Sequence, residues 1–313
     1  MLAYAARRTG LGFVQVLAVA VLAFALVELL PGDAAVALAG DQPDPAAIER
    51  IRERMHLDQP ALVRLADWIG GLVTGDLGAS LVSGRPVADI LGAALQPTLV
   101  LAVSTLVLLL PLSIGLGVAA ARRRGRWPDR LITTATVGLY SVPEFALAVL
   151  LVSVFAIGLA WLPPTAVGVP SLLAEPLVLV LPLAVLLARP ICSIARLVRA
   201  GMIEALGSEY VAHVRRAGVA ERRVVFAHAL PNALTPATAQ IARTVDWLLG
   251  GVIVVESVFV IPGLGTALVD AVNARDLPVV QGIAVVFGVT TVAVNLLADL
   301  VAFRLAPRME VAR

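Results

Sequence analysis

Gly207-Ser-Glu-Tyr-Val-Ala-His-Val-Arg-Arg-Ala-Gly-Val-Ala-Glu-Arg-Arg-Val-Val-Phe-Ala-His-Ala-Leu-Pro-Asn232 is a polar, Arg-rich stretch between two long apolar runs. Ser208 stands where an N-cap belongs, and Glu209 follows in the first turn, where a negative charge suits the helix dipole. Tyr210, Val211, Val214 and Ala217 fall at helical spacing on one face, and Gly218 can supply the left-handed residue that stops the helix. Arg215 and Arg216 occupy the last turn, again on the favourable side of the dipole. A second short helix is expected from Glu221 to Ala229, running into Pro231, which cannot continue it without losing a hydrogen bond. The stretch therefore reads as two short helices around a glycine turn, held between membrane spans. A basic loop lying on anionic lipid would share these features. A DNA-binding helix-turn-helix would share them too, but the flanking spans and the lack of a soluble core argue against it.

The flanks decide the class. The chain has 313 residues, 59% of them hydrophobic, and a mean hydropathy of +0.93. So apolar a composition makes the bilayer the solvent to reason with. All 24 basic residues are Arg. Without Lys the chain has no Gly-x4-Gly-Lys-[Ser/Thr] loop, so ATP is not bound that way and nucleotide-driven work would need another subunit. The single Cys192 excludes an intrachain disulfide or a Cys-based zinc cluster. His56, His213 and His228 are scattered, with no metal-ligand spacing. No His-paired Ser or Cys in the spans suggests an intramembrane hydrolase.

In order along the chain, Arg7 and Arg8 precede an uncharged run from Thr9 to Val27. Ala37-Leu38-Ala39 would suit a signal-peptide cleavage site, but at 1.5 Å per residue the run is long enough to cross about 30 Å of hydrocarbon, and an uncleaved first span is expected. Residues 31–95 are a small polar segment, with one amphipathic pattern after Asp44-Pro45 (Ile48, Ile51, Met55) and another after Pro60 (Leu62, Leu65, Ile69). A second span is expected from Pro97 to Ala121, closed by Arg122-Arg123-Arg124-Gly125-Arg126. The third runs from near Leu131 to Trp161, too long for a straight crossing and bent at Pro143. The fourth covers about 172–197, and the fifth about 236–258. Ile261-Pro262-Gly263-Leu264-Gly265 then breaks the chain before a short helix at 266–274, and a sixth span ends near Phe303. Arg residues crowd the short loops and ends assigned to the cytoplasm, whereas residues 162–171 have none. By the positive-inside rule both termini and the Gly218 loop face the cytoplasm.

Charges within spans are costly, at about 2.5–3.5 kcal/mol near the centre. Glu28, Arg189 and Asp299 read as near-interfacial residues reaching water. Glu144, beside Pro143, suits either a pore lining or an inter-span hydrogen bond. Arg243 and Asp246, three residues apart on one helix face, suit either a structural pair or a lining of the translocation path. Gly250-Gly251 reads as a packing position.

Several of these motifs carry a resemblance. Gly218, nine residues, then His228-Ala229-Leu230-Pro231 resembles the cytoplasmic-loop signature of ABC importer permeases, and the Tyr210-Val211 start with His228-x3-Asn232 is similar to its dipeptide/oligopeptide branch. His56-Leu57-Asp58-Gln59-Pro60, residues 75–80 and residues 83–87 resemble that branch's extracytoplasmic loop. Ser141-Val142-Pro143-Glu144-Phe145 and the ending Ala306-Pro307-Arg308 are also similar, with Ala306 departing from the usual Asp. Ala212-His213-Val214 departs from the Glu-Ala-Ala of the general signature. The resemblance implies an all-α polytopic membrane protein of six transmembrane helices with the type I ABC importer permease fold. Its parts would be an N-terminus and first helix (1–30), an extracytoplasmic loop region (31–95), and a permease core (96–313) containing a cytoplasmic coupling loop (201–235).

The function so implied is the permease subunit of an ATP-driven importer of short peptides, dipeptides foremost, in the bacterial plasma membrane. Closely similar permeases carry oligopeptides, glutathione or nickel complexes. Partners would be a second homologous permease, ABC ATPase subunits that bind the ATP and Mg, an extracytoplasmic substrate-binding protein and the lipid bilayer, with no nucleic acid. No catalytic residue, metal or cofactor is assigned to this chain. Coupling to the ATPase is assigned to Ser208, Glu209, Tyr210, Val211, Ala212, His213, Val214, Arg215, Arg216, Gly218, His228, Leu230 and Pro231. The translocation path is assigned to Glu144, Arg243 and Asp246. The alternative is a self-sufficient secondary transporter using those intramembrane charges for ion coupling.

Overall fold

The computed structural model of the chain describes residues 2–29, 45–54, 58–169 and 171–305. The elements are helical throughout: α1 (Leu2–Glu28), α2 (Pro45–Arg54), α3 (Ala61–Thr74), α4 (Val87–Arg122), α5 (Trp127–Tyr140), α6 (Glu144–Leu151, continued by a π-helix at Val152–Gly158), α7 (Val180–Leu206, preceded by a 3-10 turn at Pro176–Leu179), α8 (Glu209–Arg216), α9 (Glu221–Arg223, continued by a π-helix at Val224–Ala229), α10 (Leu230–Ala233), α11 (Thr235–Phe259), α12 (Leu264–Asn273) and α13 (Leu277–Leu305). Extended pairing among the described residues is limited to one bridge, Ala79 with Pro86. Among the described residues, four segments are long and apolar enough to cross a bilayer: Thr9–Leu26, Val87–Arg122, Pro176–Leu206 and Leu277–Leu296. The number rises to as many as six if two broken pairs, Trp127–Tyr140 with Glu144–Gly158 and Gly250–Phe259 with Leu264–Asn273, each count as one crossing. The chain is thus an all-α polytopic membrane protein. α11 is 25 residues long and carries three charged residues, Arg243, Asp246 and Glu256.

Two compact units divide the chain: Met1–Thr98 with Pro262–Val301, and Leu99–Ile261 with Ala302–Arg313. In the first, the start of α4 packs on α12 and α13 through Val87, Leu91, Leu264, Ala271 and Ile283. A buried hydroxyl ties the two parts of this unit together. Thr98 Oγ1 accepts the Leu264 N–H at 2.9 Å and donates to the Ala94 carbonyl at 3.2 Å, so no polar atom there is left facing hydrocarbon. The loop between α3 and α4 is fastened from the far end of the sequence. Asp276, 5% exposed, accepts the Ser80 hydroxyl and the Leu81 N–H at 3.0 Å. α3 lies against α1, with Arg64 2.5 Å from Glu28 and Trp68 6.2 Å from Phe24, ring to ring. α4 begins at Val87 rather than at Pro97, so the end of the polar segment is already helical; Asp89 in its first turn suits the dipole there.

The second unit is organised around α7. One core cluster joins α6, α7 and α11 through Leu147, Leu186, Val252, Val255 and Phe259. Another joins α7 to the 207–234 region through Ile194, Val198, Met202, Val211, Val224, Val225 and Ala229. Gly201 is indispensable for the second cluster, since a Cβ there would lie 2.4 Å from the Ala233 carbonyl oxygen. The Pro143 bend is sharp: α5 and the α6 segment meet at 107°. Pro190 by contrast sits inside α7 without ending it. At the Arg-rich turn after α4, Asp129 takes Arg199 of α7 in a two-point grip at 2.6 and 2.8 Å and accepts the Gly125 N–H at 2.9 Å.

Candidate functional site

The 207–234 stretch folds as a helical hairpin docked on α7. Val211 is fully buried and pins α8 into the core cluster of Val224, Val225 and Ala229. Val214 joins it, but Ala217, expected on the same face, is exposed, because the chain leaves the helix there. The exit is a Schellman motif: the Val219 N–H reaches the Val214 carbonyl at 3.4 Å and the Gly218 N–H reaches the Arg215 carbonyl at 3.0 Å. Gly218 has φ +78°, a conformation costing a residue with a Cβ about 1–2 kcal/mol.

Two expectations need correction here. Ser208 occupies the N-cap position with extended backbone but makes no side-chain cap. Its hydroxyl donates backwards to the Ala205 carbonyl at 2.6 Å, which also accepts the Ser208 N–H at 3.2 Å; α7 ends immediately before it, and carbonyls of a last turn have no intrahelical donor. Pro231 does not end the second helix. The π-helix at Val224–Ala229 is followed directly by α10, which contains Pro231. A π turn carries an extra residue per turn, which accommodates the missing N–H and the ring without breaking the rod.

Tyr210 and Asn232, at the two ends of the hairpin, meet over His228. The Asn232 amide donates to Tyr210 Oη at 2.9 Å and to the His228 carbonyl at 3.2 Å, and Tyr210 Oη donates to the same carbonyl at 3.4 Å. Across the glycine turn Arg215 grips Glu221 at 2.7 and 3.1 Å. The guanidinium holds the Glu221 carboxyl below the usual carboxylate range, and the carboxylate raises Arg215 in turn. Glu209 and Arg216, 3.6 Å apart and both exposed, add little. The hairpin's outer surface carries His213, Arg216, Arg222, Arg223 and Phe226, all exposed, and a shallow depression lined by Ala220, Arg222, Arg223, Phe226 and Ala227. Ala212, His228 and Leu230 are half-buried beneath it, and Pro231 is exposed. This surface is cationic around an aromatic ring and suits an acidic or apolar protein surface rather than a small molecule.

Away from the hairpin, Glu144 is half-buried and lies 3.6 Å from Arg189. Arg189, expected near a span end, instead sits well inside α7, because that helix runs on to Leu206 rather than stopping near 197. Arg243 is exposed and donates to Gln240 at 2.9 Å. Asp246 lies on α11 with its side chain outside the described residues; His56 and the Ala306-Pro307-Arg308 ending are outside the described residues altogether. Among the described residues no group of three or more His, Cys, Asp or Glu is placed to hold a metal. Sequence reasoning missed the Asp129–Arg199 and Ser80–Asp276 links. Their only trace is charge at the edge of apolar runs, and nothing local names the partner.

Residues 113–311 match the family described as "Binding-protein-dependent transport system inner membrane component". Residues 1–117 match that described as "Binding-prot-dependent transport system membrane comp, N-term". The chain is 40% identical over 311 residues to the glutathione transport system permease protein GsiC of Escherichia coli strain K12, covering 99% of each chain. The same protein of strain CFT073 is again 40% identical, and that of Shigella flexneri serotype 5b is 39% identical, both with 99% coverage.

Proposed function

The chain belongs to the binding-protein-dependent transport system inner membrane components, and from that premise we propose that it forms one transmembrane half of an ATP-driven importer of short peptides. Full-length similarity to permeases of a glutathione transport system carries this reading, glutathione being itself a small peptide. The partners are a second, related permease, ATPase subunits and an extracytoplasmic binding protein. The chain crosses the inner membrane six times with both termini in the cytoplasm. It divides into a first helix (1–30), an outer loop region (31–95) and a permease core (96–313).

The 207–234 hairpin is the part on which the ATPase acts. Two buried anchors, Val211 and the Val224–Val225 pair, bind it to α7, and the Schellman turn, the Arg215–Glu221 grip and the Tyr210–Asn232–His228 hydrogen bonds make it rigid. A push on α8 is then passed to α7 rather than absorbed by the loop. Ser208 to Arg216 and Gly218 form the receiving helix and its stop, and His228, Leu230 and Pro231 form the return strut. Glu144, Arg243 and Asp246 line the translocation path.

Reconstitution tests the reading. The chain with its genomic neighbours in proteoliposomes is expected to accumulate labelled glutathione or dipeptides only with ATP, the ATPase subunits and the binding protein present. Uptake by the purified chain alone under an ion gradient would overturn it in favour of a secondary transporter.

A further inference from the structure

We propose that Arg189, with Tyr140 and Arg196, forms a carboxylate-recognition station on the translocation path, and that Glu144 is the resident counter-ion which the cargo's carboxylate replaces. The inference rests on the transport reading above and adds to it a residue and the chemical group it receives. Arg189, Ser193 and Arg196 are spaced i, i+4, i+7 and share one face of α7. Most of that helix is buried among its neighbours: Val185, Leu186, Ile194, Ala195 and Val198 are all at most 2% exposed. The Arg189 side chain is 51% exposed, and Arg196 is exposed too. Arg189 lies 13 residues from one end of Pro176–Leu206 and 17 from the other, hence about 20 and 25 Å at 1.5 Å per residue. Half-exposed guanidinium at that depth cannot face lipid without heavy cost, so this stripe faces a wet passage.

The cluster carries more positive charge than it consumes. The Tyr140 ring is flanked by both guanidiniums, Arg189 at 5.3 Å and Arg196 at 5.7 Å from its centre, an arrangement that holds the cations in place without neutralising them. Glu144 is paired with Arg189 at 3.6 Å, against 2.6 Å between Arg199, on the same helix as Arg189, and Asp129 of α5. A contact of that length is one a competing carboxylate can enter. Gly251 borders Glu144: a Cβ there would stand in ordinary contact with Glu144 Oε2 at 3.5 Å and tight against the Trp247 ring at 3.2 Å. An arginine fork can take a peptide carboxylate with two parallel hydrogen bonds as the cargo passes, then return to Glu144 when it leaves.

The test uses the assembled transporter in proteoliposomes, with labelled glutathione as probe, and compares wild type, Arg189→Gln, Arg189→Lys and the charge exchange Arg189→Glu with Glu144→Arg. Arg189→Gln is expected to lower ATP-driven uptake at least tenfold. Arg189→Lys keeps the charge without the fork and is expected to raise the uptake KM at least threefold, which keeps the idea testable if the glutamine variant does not assemble. The charge exchange separates recognition from mere pairing. It restores a complementary pair, so the subunits are expected to co-purify, yet uptake stays at least tenfold down because a carboxylate now faces the cargo. Uptake within twofold of wild type in the exchange variant, or a wild-type KM in Arg189→Lys, overturns the station. Absence of any ATP-dependent uptake by the wild-type assembly overturns the transport reading, and this inference with it.

Discussion

Gly218 combines a left-handed backbone with open space around it: φ is +78°, and nothing lies within 4 Å of where a Cβ would stand. Substitution is therefore resisted by conformation and not by crowding. Gly218→Val should strain the α8 exit by about 1–2 kcal/mol or more, loosen the hairpin and abolish uptake while the subunits still co-purify; normal uptake by that variant would refute the mechanical role. The Arg215–Glu221 grip supplies a pH signature. Glu221 is held below the ordinary carboxylate range in the folded hairpin, so its stabilisation is present above the unfolded-state value and is lost as pH falls through the lower folded-state value. Amide-exchange protection across residues 214–221, corrected for intrinsic exchange rates, should drop in that acid window. In Glu221→Gln the drop should vanish, and a drop of equal size in that variant would assign the effect elsewhere.

At the level of elements, the links between remote segments are polar and buried, which makes them sensitive to single-atom changes. Asp129 is 3% exposed and grips Arg199 at two points. Asp129→Asn leaves a guanidinium without its charge partner and should cost about 3 kcal/mol, the low end for a buried pair because Arg199 is part-exposed, seen as a fall in the thermal midpoint of the purified complex. Asp276→Asn keeps the shape but weakens what the Ser80 hydroxyl and Leu81 N–H are offered, so a smaller loss of about 1–3 kcal/mol is expected, with proteolysis newly admitted at 78–87. If both variants melt like wild type, these links are ornaments of the fold and not its fasteners. The π turns at 152–158 and 224–229 belong to this scale as well. The first continues α6 directly, and the second runs straight into α10, which lets the return strut of the hairpin pass through Pro231 in one piece.

For the molecule as a whole, the proposed topology puts both termini and the 207–234 hairpin in the cytoplasm, and a single cysteine makes it directly testable. Cys192 is the only cysteine and is buried in α7, so Cys192→Ala gives a cysteine-free background at small cost. On it, Ser83→Cys should react with a membrane-impermeant maleimide in intact cells. Arg124→Cys and Arg216→Cys should react only after the membrane is opened. The reverse pattern would invert the proposed topology and remove the hairpin from the reach of any ATPase.

Much of this was readable in one dimension. The apolar runs placed the chain in a bilayer, Pro143 marked a sharp bend, and the spacing from Gly218 to Leu230-Pro231 marked the hairpin, because hydropathy, proline geometry and left-handed glycine act within a few residues of themselves. The partners of charged and polar side chains were not readable. Ser80 with Asp276, Asp129 with Arg199, Glu144 with Arg189 and Tyr210 with Asn232 are separated by 196, 70, 45 and 22 positions respectively. Hydropathy reports how deep a residue lies, not which way its helix is turned. That rotation is set by packing, such as α7 closing on Ala233 over Gly201, and only once it is set does Arg189 find itself beside Glu144 and Tyr140 rather than reaching for water at the end of a span.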